Sequence, residues 1–292
     1  MPGRQTLAVS MKNKSQLKEI SRRFVRNKGA VFGLCFVVVL VVCALFPSAI
    51  ARYGYDDQLL SRRFQPPSAA YPFGTDEFGR DIFSRVIYGC RISLTLGLVA
   101  VSISCILGII LGCIAGYYGK IVDNILMRVI DIMLSIPNVL LAVSIVAALG
   151  TSFFNLMLAI GLGAVPGYAR IVRAAILSVK EQEYIEAAQS NGASDWWIVT
   201  RHILPNCMAP LIVQATMSIA TSILSAAGMS FIGLGIMPPT PEWGSMLASG
   251  RAYIRDYWFI VAFPGLAIML TIFSINLLGD GLRDALDPRL KS

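Results

Sequence analysis

Long stretches without Asp, Glu, Lys or Arg constrain the fold of this chain more than any other feature. Five such stretches run over residues 29–51, 92–119, 132–169, 203–241 and 257–279. A helix of about 20 apolar residues crosses the hydrocarbon core of a bilayer. The third stretch is too long for one crossing, and the sequence Gly150-Thr151-Ser152 breaks it into two helices joined by a tight turn.

The sequence therefore predicts an all-α integral membrane protein with six transmembrane helices, because a backbone in lipid must satisfy its own hydrogen bonds. The composition agrees with this prediction. Only 14% of the residues are charged and 55% are apolar, whereas a soluble domain carries about 25% charged residues. These values exclude a disordered chain and argue against a water-soluble domain.

The distribution of Lys and Arg predicts the orientation of the chain in the membrane. Residues 1–28 hold eight of these residues, which places that end in the cytoplasm. With six spans, the cytoplasmic segments hold 17 Lys/Arg and 10 Asp/Glu, and the external segments hold 8 and 7. Nearly all of the net charge of +8 therefore lies on one side. This pattern indicates a membrane topology and not a nucleic-acid surface, and both termini are predicted to be cytoplasmic.

These spans divide the chain into five parts. The parts are a basic cytoplasmic segment (1–28), a first transmembrane helix (29–51), an extracytoplasmic loop (52–91), a core with five transmembrane helices (92–279) and a cytoplasmic tail (280–292). The core includes a cytoplasmic loop over residues 170–205. Near the inner end of the third helix, Arg128 and Asp131 have the spacing of a helical ion pair. We interpret them as a membrane-boundary pair, with a gate as the alternative.

The cytoplasmic loop contains a predicted helix-turn-helix. Residues 181–205 read EQEYIEAAQSNGASDWWIVTRHILP. Good helix formers precede the turn signal Asn191-Gly192, and Ser194 or Asp195 is suited to cap the helix that follows. Pro205 closes the segment or kinks the entry to the fifth transmembrane helix.

One side of this segment has the features of a docking surface. Small residues allow another surface to approach closely, Glu186 adds a charge, and two tryptophans add contact area. The alternative is a solvated amphipathic loop.

This segment resembles the EAA loop of permease subunits of ATP-binding-cassette (ABC) importers. The resemblance rests on the triplet Glu186-Ala187-Ala188, on Gly192 after three further residues, and on Leu204-Pro205 further along the chain. His202 stands where the general pattern has Ile, and it resembles the peptide-importer branch.

Three further segments resemble the same branch. They read GTDEFGRDIFSR (74–85), PPTPEWG (238–244) and NLLGDGLRDALDPRLK (276–291). The chain is most similar to the second (C-type) permease subunit of dipeptide and oligopeptide importers. The resemblance therefore implies peptide transport, with glutathione or a nickel or other metal chelate as the alternative cargo.

The resemblance implies a transport subunit and not an enzyme. In this family the EAA loop docks on an ATPase, and the ATPase-coupling residues implied here are Glu186, Ala187, Ala188, Gly192, Trp196, His202, Leu204 and Pro205. The implied partners are a second homologous permease, two ATPase subunits that bind ATP and Mg, an extracytoplasmic solute-binding protein and membrane lipid. The implied location is the bacterial plasma (inner) membrane. No cofactor is expected in this chain, since it has no GxxxxGK[ST] phosphate-binding loop.

Polar residues in the fifth transmembrane helix mark a candidate translocation pathway. They follow one another at steps of four, three and four and so share one helical face: Gln214, Ser218, Thr221 and Ser225. Polar side chains within a span face protein or a water-filled cavity. We interpret this face as half of a pathway, and the alternative is hydrogen bonding between helices.

Other functions fit the sequence less well. A membrane-embedded enzyme such as a protease needs paired catalytic groups at depth, and the single histidine, His202, lies near an interface. A passive channel does not need a cytoplasmic loop of this pattern. The six cysteines are interpreted as apolar thiols and not as disulfides or metal ligands. Gly108, Gly112 and Gly116 predict a close helix contact, either between subunits or within the chain.

Overall fold

Helices account for the architecture of residues 19–286, the part of the chain that the computed structural model describes. The predicted N-terminal segment up to residue 18 and the predicted tail from residue 287 lie outside it. Within the described part, five helices are long and apolar enough to cross a membrane, and a bent helix pair adds a sixth span if it is counted as one. The predicted all-α membrane fold is confirmed.

The first apolar helix, α1 (Lys28–Leu45), begins at Asn27, whose side chain accepts a hydrogen bond from the Ala30 backbone N–H. It ends before Pro47, because the residue preceding a proline is driven out of the helical region. A separate helical turn follows at Pro47–Ile50. The predicted span of residues 29–51 is therefore two elements.

Helix α2 (Ile82–Tyr118) starts earlier than the predicted span. Asp81 caps it by accepting hydrogen bonds from the backbone N–H and the hydroxyl of Ser84. The spacing of apolar residues from Ile82 predicts an amphipathic helical segment at the end of the external loop (52–91). The helix is present, and it continues into the span without a break, with Ile82, Val86 and Cys90 buried. The 37 residues span about 55 Å at 1.5 Å each, so the helix extends well beyond the hydrocarbon core.

The third predicted span is broken at Pro137, a proline expected to kink it. Helix α3 (Lys120–Ser135) ends before Pro137, and α4 (Asn138–Leu149) follows at an angle of 91°. Pro137 cannot donate a backbone hydrogen bond and sterically disfavours a helical residue before it. The 12 residues of α4 reach about 18 Å, which is less than the core thickness.

The predicted turn between the third and fourth spans is confirmed. Gly150 has a positive φ of 88°, and the Ser152 side chain caps α5 (Phe153–Lys180). Helix α5 continues past its predicted end at Ala169, because Val172 and Ile176 keep the helical spacing and are buried. The first part of the predicted loop 170–205 is therefore helix.

Helix α6 (Glu183–Ser190) and helix α7 (Asp195–Phe231) follow. Helix α7 begins well before the predicted start at Ile203 and contains a π-helical turn at Val199–Ile203. This wider turn ends two residues before Pro205, which has no N–H to continue the regular ladder and crowds the preceding turn. Pro205 is therefore accommodated without ending the helix.

The last helices are α8 (Trp243–Gly250) and α9 (Phe259–Leu286). Helix α9 packs on α1, where a Cβ at Gly33 would lie 2.5 Å from the Ser274 carbonyl oxygen. Helix α2 packs on α5 through its three spaced glycines. A Cβ at Gly112, for example, would lie 2.6 Å from the Ala169 carbonyl oxygen. The glycines thus serve packing within the chain.

Candidate functional site

Three buried isoleucines anchor the segment between α5 and α7. Ile185 on α6 and Ile198 and Ile203 on α7 are fully buried, and they belong to one apolar cluster with Val172 and Ile176 of α5. Burying side chains of this size contributes about 2 kcal/mol each. Residues 181–205, called the coupling segment below, are therefore fixed to the helices on either side.

The opposite face of α6 is open. Glu186 and Ala187 are exposed and Ala188 is half-buried. The short alanine side chains leave the helix backbone close to the surface. Glu183 and Glu186 lie in the first turn of α6, where a carboxylate interacts favourably with the helix dipole. This face combines a close-approach surface with negative charge.

A left-handed residue turns the chain after α6. Gly192 has φ 75°, and no atom lies within 4 Å of the position that its Cβ would occupy. Its backbone conformation, and not a lack of space, therefore favours glycine. Around it, Asn191 donates a side-chain hydrogen bond to the Ala187 carbonyl oxygen at 2.8 Å, and the Ala193 N–H donates to that of Ala188. The predicted turn is confirmed.

The two candidate caps of α7 have different roles. The Ser194 hydroxyl accepts a long hydrogen bond of 3.4 Å from the Trp197 backbone N–H. The Asp195 carboxylate instead accepts a hydrogen bond from the Tyr117 hydroxyl at 2.7 Å. Lys180, at the end of α5, donates to the backbone carbonyl of Tyr117. The ends of α2 and α5 and the start of α7 therefore meet at Tyr117.

The adjacent tryptophans line different surfaces. Trp196 is 78% exposed and borders an apolar groove of about 290 Å³ together with Ile114, Tyr117 and Tyr118 of α2. It lies away from the open face of α6.

Trp197 borders a cleft of about 460 Å³ against α6. The His202 ring packs edge-on against Trp197 at 4.7 Å and lies 6.0 Å from the Tyr184 ring. Ala187 and Ala188 also line this cleft. The sequence predicted contact area from both tryptophans, but the predicted coupling residues include Trp196 and not Trp197 or Tyr184. The spacing of the sequence was sufficient to find Tyr184. It precedes Ala187 and Ala188 by three and four residues, which places all three on one face of a helix.

The remaining predicted coupling residues lie at the base of α7. Leu204 is half-buried and Pro205 is exposed. Both follow the π-helical turn, so they set the shape of the helix entry. Neither residue lines the cleft between α6 and Trp197.

The four predicted pathway residues do not line one cavity. Thr221 and Ser225 border a cavity of about 100 Å³ between α4, α5 and α7, and Asn138 lies at the same cavity. Gln214 borders a separate, more open cavity of about 420 Å³ that also contains Arg283 of α9. Ser218 is buried between them and accepts a hydrogen bond from the Gln214 amide at 3.2 Å. Asn138 was missed because the bend at Pro137 brings it there.

Two ion pairs join α3 to α5. Asp131 pairs with Arg170 at 2.5 Å, and Asp123 accepts two hydrogen bonds from Arg173, at 2.5 and 2.6 Å. The predicted pair of Arg128 with Asp131 does not form, because the carboxylate of Asp131 is directed to a different helix.

The opposite end of the molecule, around α8, holds a buried polar network. Asp76 pairs with Arg80 at 2.6 Å, and Arg85 donates to the carbonyl oxygens of Tyr55 and Pro239 at 2.7 and 3.2 Å. Burial, with the neighbouring Asp76 charge, raises the pKa of Glu77. The network ties the loop before α2 to the loop before α8, so the GTDEFGRD segment has a structural role here.

A second set of buried polar contacts caps α8. The Glu242 carboxylate accepts hydrogen bonds from the N–H groups of Gly244 and Ser245 at 2.9 and 2.7 Å, and its burial raises its pKa. Trp243 is fully buried and donates its indole N–H to the Val86 carbonyl oxygen. The PEWG residues thus join α8 to α2.

The described residues form a bundle of spanning helices with a short two-helix segment inserted between two of them. A solved structure of the MetNI methionine ABC transporter in inward-facing conformations has the same fold, with a TM-score of 0.57 and 21% identity. The comparison covers 70% of this chain and 96% of that chain.

Sequence comparison specifies the family. The chain belongs to the family described as the binding-protein-dependent transport system inner membrane component, whose model matches residues 108–292. The N-terminal TM domain of oligopeptide transport permease C matches residues 15–67. The chain is therefore a membrane-embedded permease subunit of an ABC importer of bacterial inner-membrane type, as its resemblance to the EAA-loop proteins implied.

Similar proteins cover almost the whole chain. The di/tripeptide transport permease DppC of Pseudomonas aeruginosa (strain UCBPP-PA14) is 48% identical over 95% of this chain and 94% of its own length. The dipeptide transport permease DppC of Alkalihalophilus pseudofirmus is 46% identical over 95% and 91%. The glutathione transport permease GsiD of Pectobacterium atrosepticum is 43% identical over 94% and 92%.

Proposed function

We propose that this chain forms half of the translocation pathway of a peptide importer and that its coupling segment receives movement from partner ATPase subunits. Peptide cargo is supported by the names of the similar permeases, which include di/tripeptide and dipeptide systems at 46–48% identity. The observation that carries the coupling role is the combination of an open α6 face with buried isoleucine anchors.

This combination suits force transmission. Glu186 and Ala187 are open to a partner, whereas Ile185 of the same helix is fully buried against α5 and α7. Protein cores are close-packed, so displacing α6 moves the helices that contact it. Alternation between inward-open and outward-open arrangements then proceeds as movement of packed units.

The coupling segment is proposed to face the cytoplasm and the α8 end to face the exterior. The support is the asymmetry of Lys and Arg between the loops. In this orientation ATPases, which bind ATP and Mg, approach α6. The extracytoplasmic solute-binding protein approaches the buried polar network around Arg85. Both described ends, near Glu19 and Leu286, then lie on the cytoplasmic side.

A second permease subunit is proposed to complete the pathway. The cavity at Asn138, Thr221 and Ser225 has about 100 Å³, which accommodates about three water molecules and not a dipeptide. A passage for peptides therefore needs a facing surface from another chain. The lining of the cavity is uncharged and combines polar with apolar side chains, which suits cargo with varied side chains.

Glutathione or a metal chelate is the second candidate cargo. The glutathione permease from Pectobacterium atrosepticum is 43% identical to this chain. Glutathione is itself a tripeptide, so a lining that accepts short peptides has the polar groups needed to accept it.

The test uses the complete importer in proteoliposomes, with both permeases, both ATPases and the binding protein. Uptake of a labelled dipeptide, glutathione and a nickel chelate is measured with and without ATP. We expect ATP-dependent uptake of the dipeptide at the highest rate. Preference for glutathione or the chelate would overturn the peptide assignment, and flux that does not require ATP would indicate a channel.

A further inference from the structure

Helix α3 is weakly held by apolar packing. Ile130 is its one buried residue, whereas Ile121, Ile125 and Ile132 are exposed. The helix is amphipathic and leads directly into the 91° bend before α4. Polar contacts are therefore more important for holding α3 on the bundle than they are for the other long helices.

The polar contacts are the two ion pairs with α5. Arg173 binds both oxygens of Asp123 through two N–H groups, a bidentate geometry that fixes orientation as well as distance. Arg170, one turn earlier on the same face of α5, binds Asp131. The arginines are about 4.5 Å apart along α5 and the aspartates about 12 Å apart along α3, at 1.5 Å per residue. The earlier arginine pairs with the later aspartate, so the two helices run in opposite directions where these pairs join them.

The two helices joined by these ion pairs, α5 and α3, lead to different functional elements. The end of α5 passes through only Glu181 and Gln182 before α6 begins. The end of α3 passes through Ile136 and Pro137 to α4, whose first residue, Asn138, lines the 100 Å³ cavity with Thr221 and Ser225. The ion pairs therefore lie between the coupling segment and the cavity.

We propose that Arg170 and Arg173 are positioning residues that clamp α3 to α5, so that movement of the coupling segment reaches the α3–α4 bend and Asn138. This role rests on the proposed function of the coupling segment. Arg173 forms the stronger ion pair of the two, because its pair with Asp123 is half-buried and bidentate, whereas the pair of Arg170 with Asp131 is exposed. The exposed Arg170 pair contributes little to folding stability, whereas the half-buried Arg173 pair contributes more, so the amount of assembled complex is measured for every variant.

Charge reversal in the complete importer tests the clamp. Arg173→Asp and Asp123→Arg each lower peptide uptake per ATP hydrolysed by about tenfold, within the usual range of coupling between two sites. The double variant restores most of the uptake because the pair forms with reversed polarity. The matched control is Arg128→Asp, which reverses an exposed charge on α3 that has no ion pair in the described residues.

Uptake unchanged in both single variants would overturn the clamp. The clamp would also be overturned if the double variant showed no more uptake than the single variants while all complexes assembled to the wild-type amount. Failure of the proposed function has a different signature, because the wild-type complex itself would then show no ATP-dependent peptide uptake.

A distance measurement tests the clamp without reference to cargo. Spin labels at Asn124 on α3 and Leu177 on α5, both exposed, are introduced after replacement of the six native cysteines. With Arg170 and Arg173 unchanged, we expect one narrow distribution of distances between the two labels, and this distribution does not change when the complex binds nucleotide. Arg173→Asp broadens the distribution, and Arg128→Asp does not. A nucleotide-dependent distance without these substitutions would contradict movement of α3 and α5 as one unit.

Discussion

Tyr117 donates a hydrogen bond from its hydroxyl to the carboxylate of Asp195 at 2.7 Å, which joins the last turn of α2 to the first turn of α7. The backbone carbonyl of Tyr117 also accepts a hydrogen bond from Lys180 at the end of α5. Three helices that border the coupling segment are thus tied together at one residue. Loosening this point is expected to affect both stability and transport.

Tyr117→Phe keeps the aromatic ring and removes the hydrogen bond. We expect a loss of about 1 kcal/mol in stability, the usual net contribution of such a bond, measured by thermal unfolding in detergent. Uptake per ATP is expected to fall as well. Tyr118→Phe is the matched control, since Tyr118 is exposed and its hydroxyl has no hydrogen bond within residues 19–286. Equal effects of the two substitutions would contradict the role of Tyr117.

Substitutions of Gly192 separate backbone strain from charge. Asn tolerates the left-handed conformation, so Gly192→Asn is expected to retain much of the uptake. Gly192→Asp has nearly the same shape but adds a charge to the docking surface. We expect it to lower ATP-driven uptake at least tenfold, because an unpaired charge in an interface costs about 2 kcal/mol or more. Similar uptake by both variants would place residue 192 outside the interface.

Gly112 and Gly228 test the contact between α2 and α5. A Cβ at Gly112 would lie 2.6 Å from both the Ala169 carbonyl oxygen and Val172 Cβ, whereas one at Gly228 meets no atom within 4 Å. Gly112→Ala is therefore expected to destabilise the protein. Gly228→Ala is expected to stabilise it by up to about 1 kcal/mol through helix propensity. Thermal unfolding of the two variants measures the difference, and a reversed order would contradict the packing.

Glu242 provides a test that depends on pH. Glu242→Ala removes both N-cap hydrogen bonds of α8 and is expected to cost about 1 kcal/mol, whereas Glu242→Gln keeps one acceptor oxygen. Burial raises the pKa of Glu242 in the folded protein. The wild type is therefore expected to lose stability relative to Glu242→Gln as the pH rises through that pKa, and the two converge in acid. Thermal unfolding against pH shows whether they do.

Local signals in the sequence predicted much of this structure. The charge-free stretches located the spanning helices, and Gly150 to Ser152 marked a turn that is present. Gly192 marked a left-handed turn because few other residues adopt that conformation. These features depend on a few neighbouring residues, so they are readable without knowledge of the tertiary contacts.

The features that the sequence did not predict depend on contacts between distant segments. Proline signals a break, but whether the chain bends by 91°, as at Pro137, or continues through a π-helical turn, as at Pro205, is decided by packing. The sequence indicates helix from Ile82, but the continuation of that helix into the span depends on burial against Trp243, more than 150 residues away. The separation of Trp196 from Trp197 depends on how α2 approaches α7.

Crosslinking from α6 tests the central claim most directly. Cysteines replace Glu186 or Asn191, both exposed, in a background without native cysteines, and a short bifunctional reagent is added to the complete importer in membranes. A cysteine at Phe78, which is exposed at the opposite end, is the control. We predict crosslinks from α6 to the ATPase subunits and none from Phe78 to them. Crosslinks from α6 to the solute-binding protein instead would contradict the proposed orientation and the coupling role.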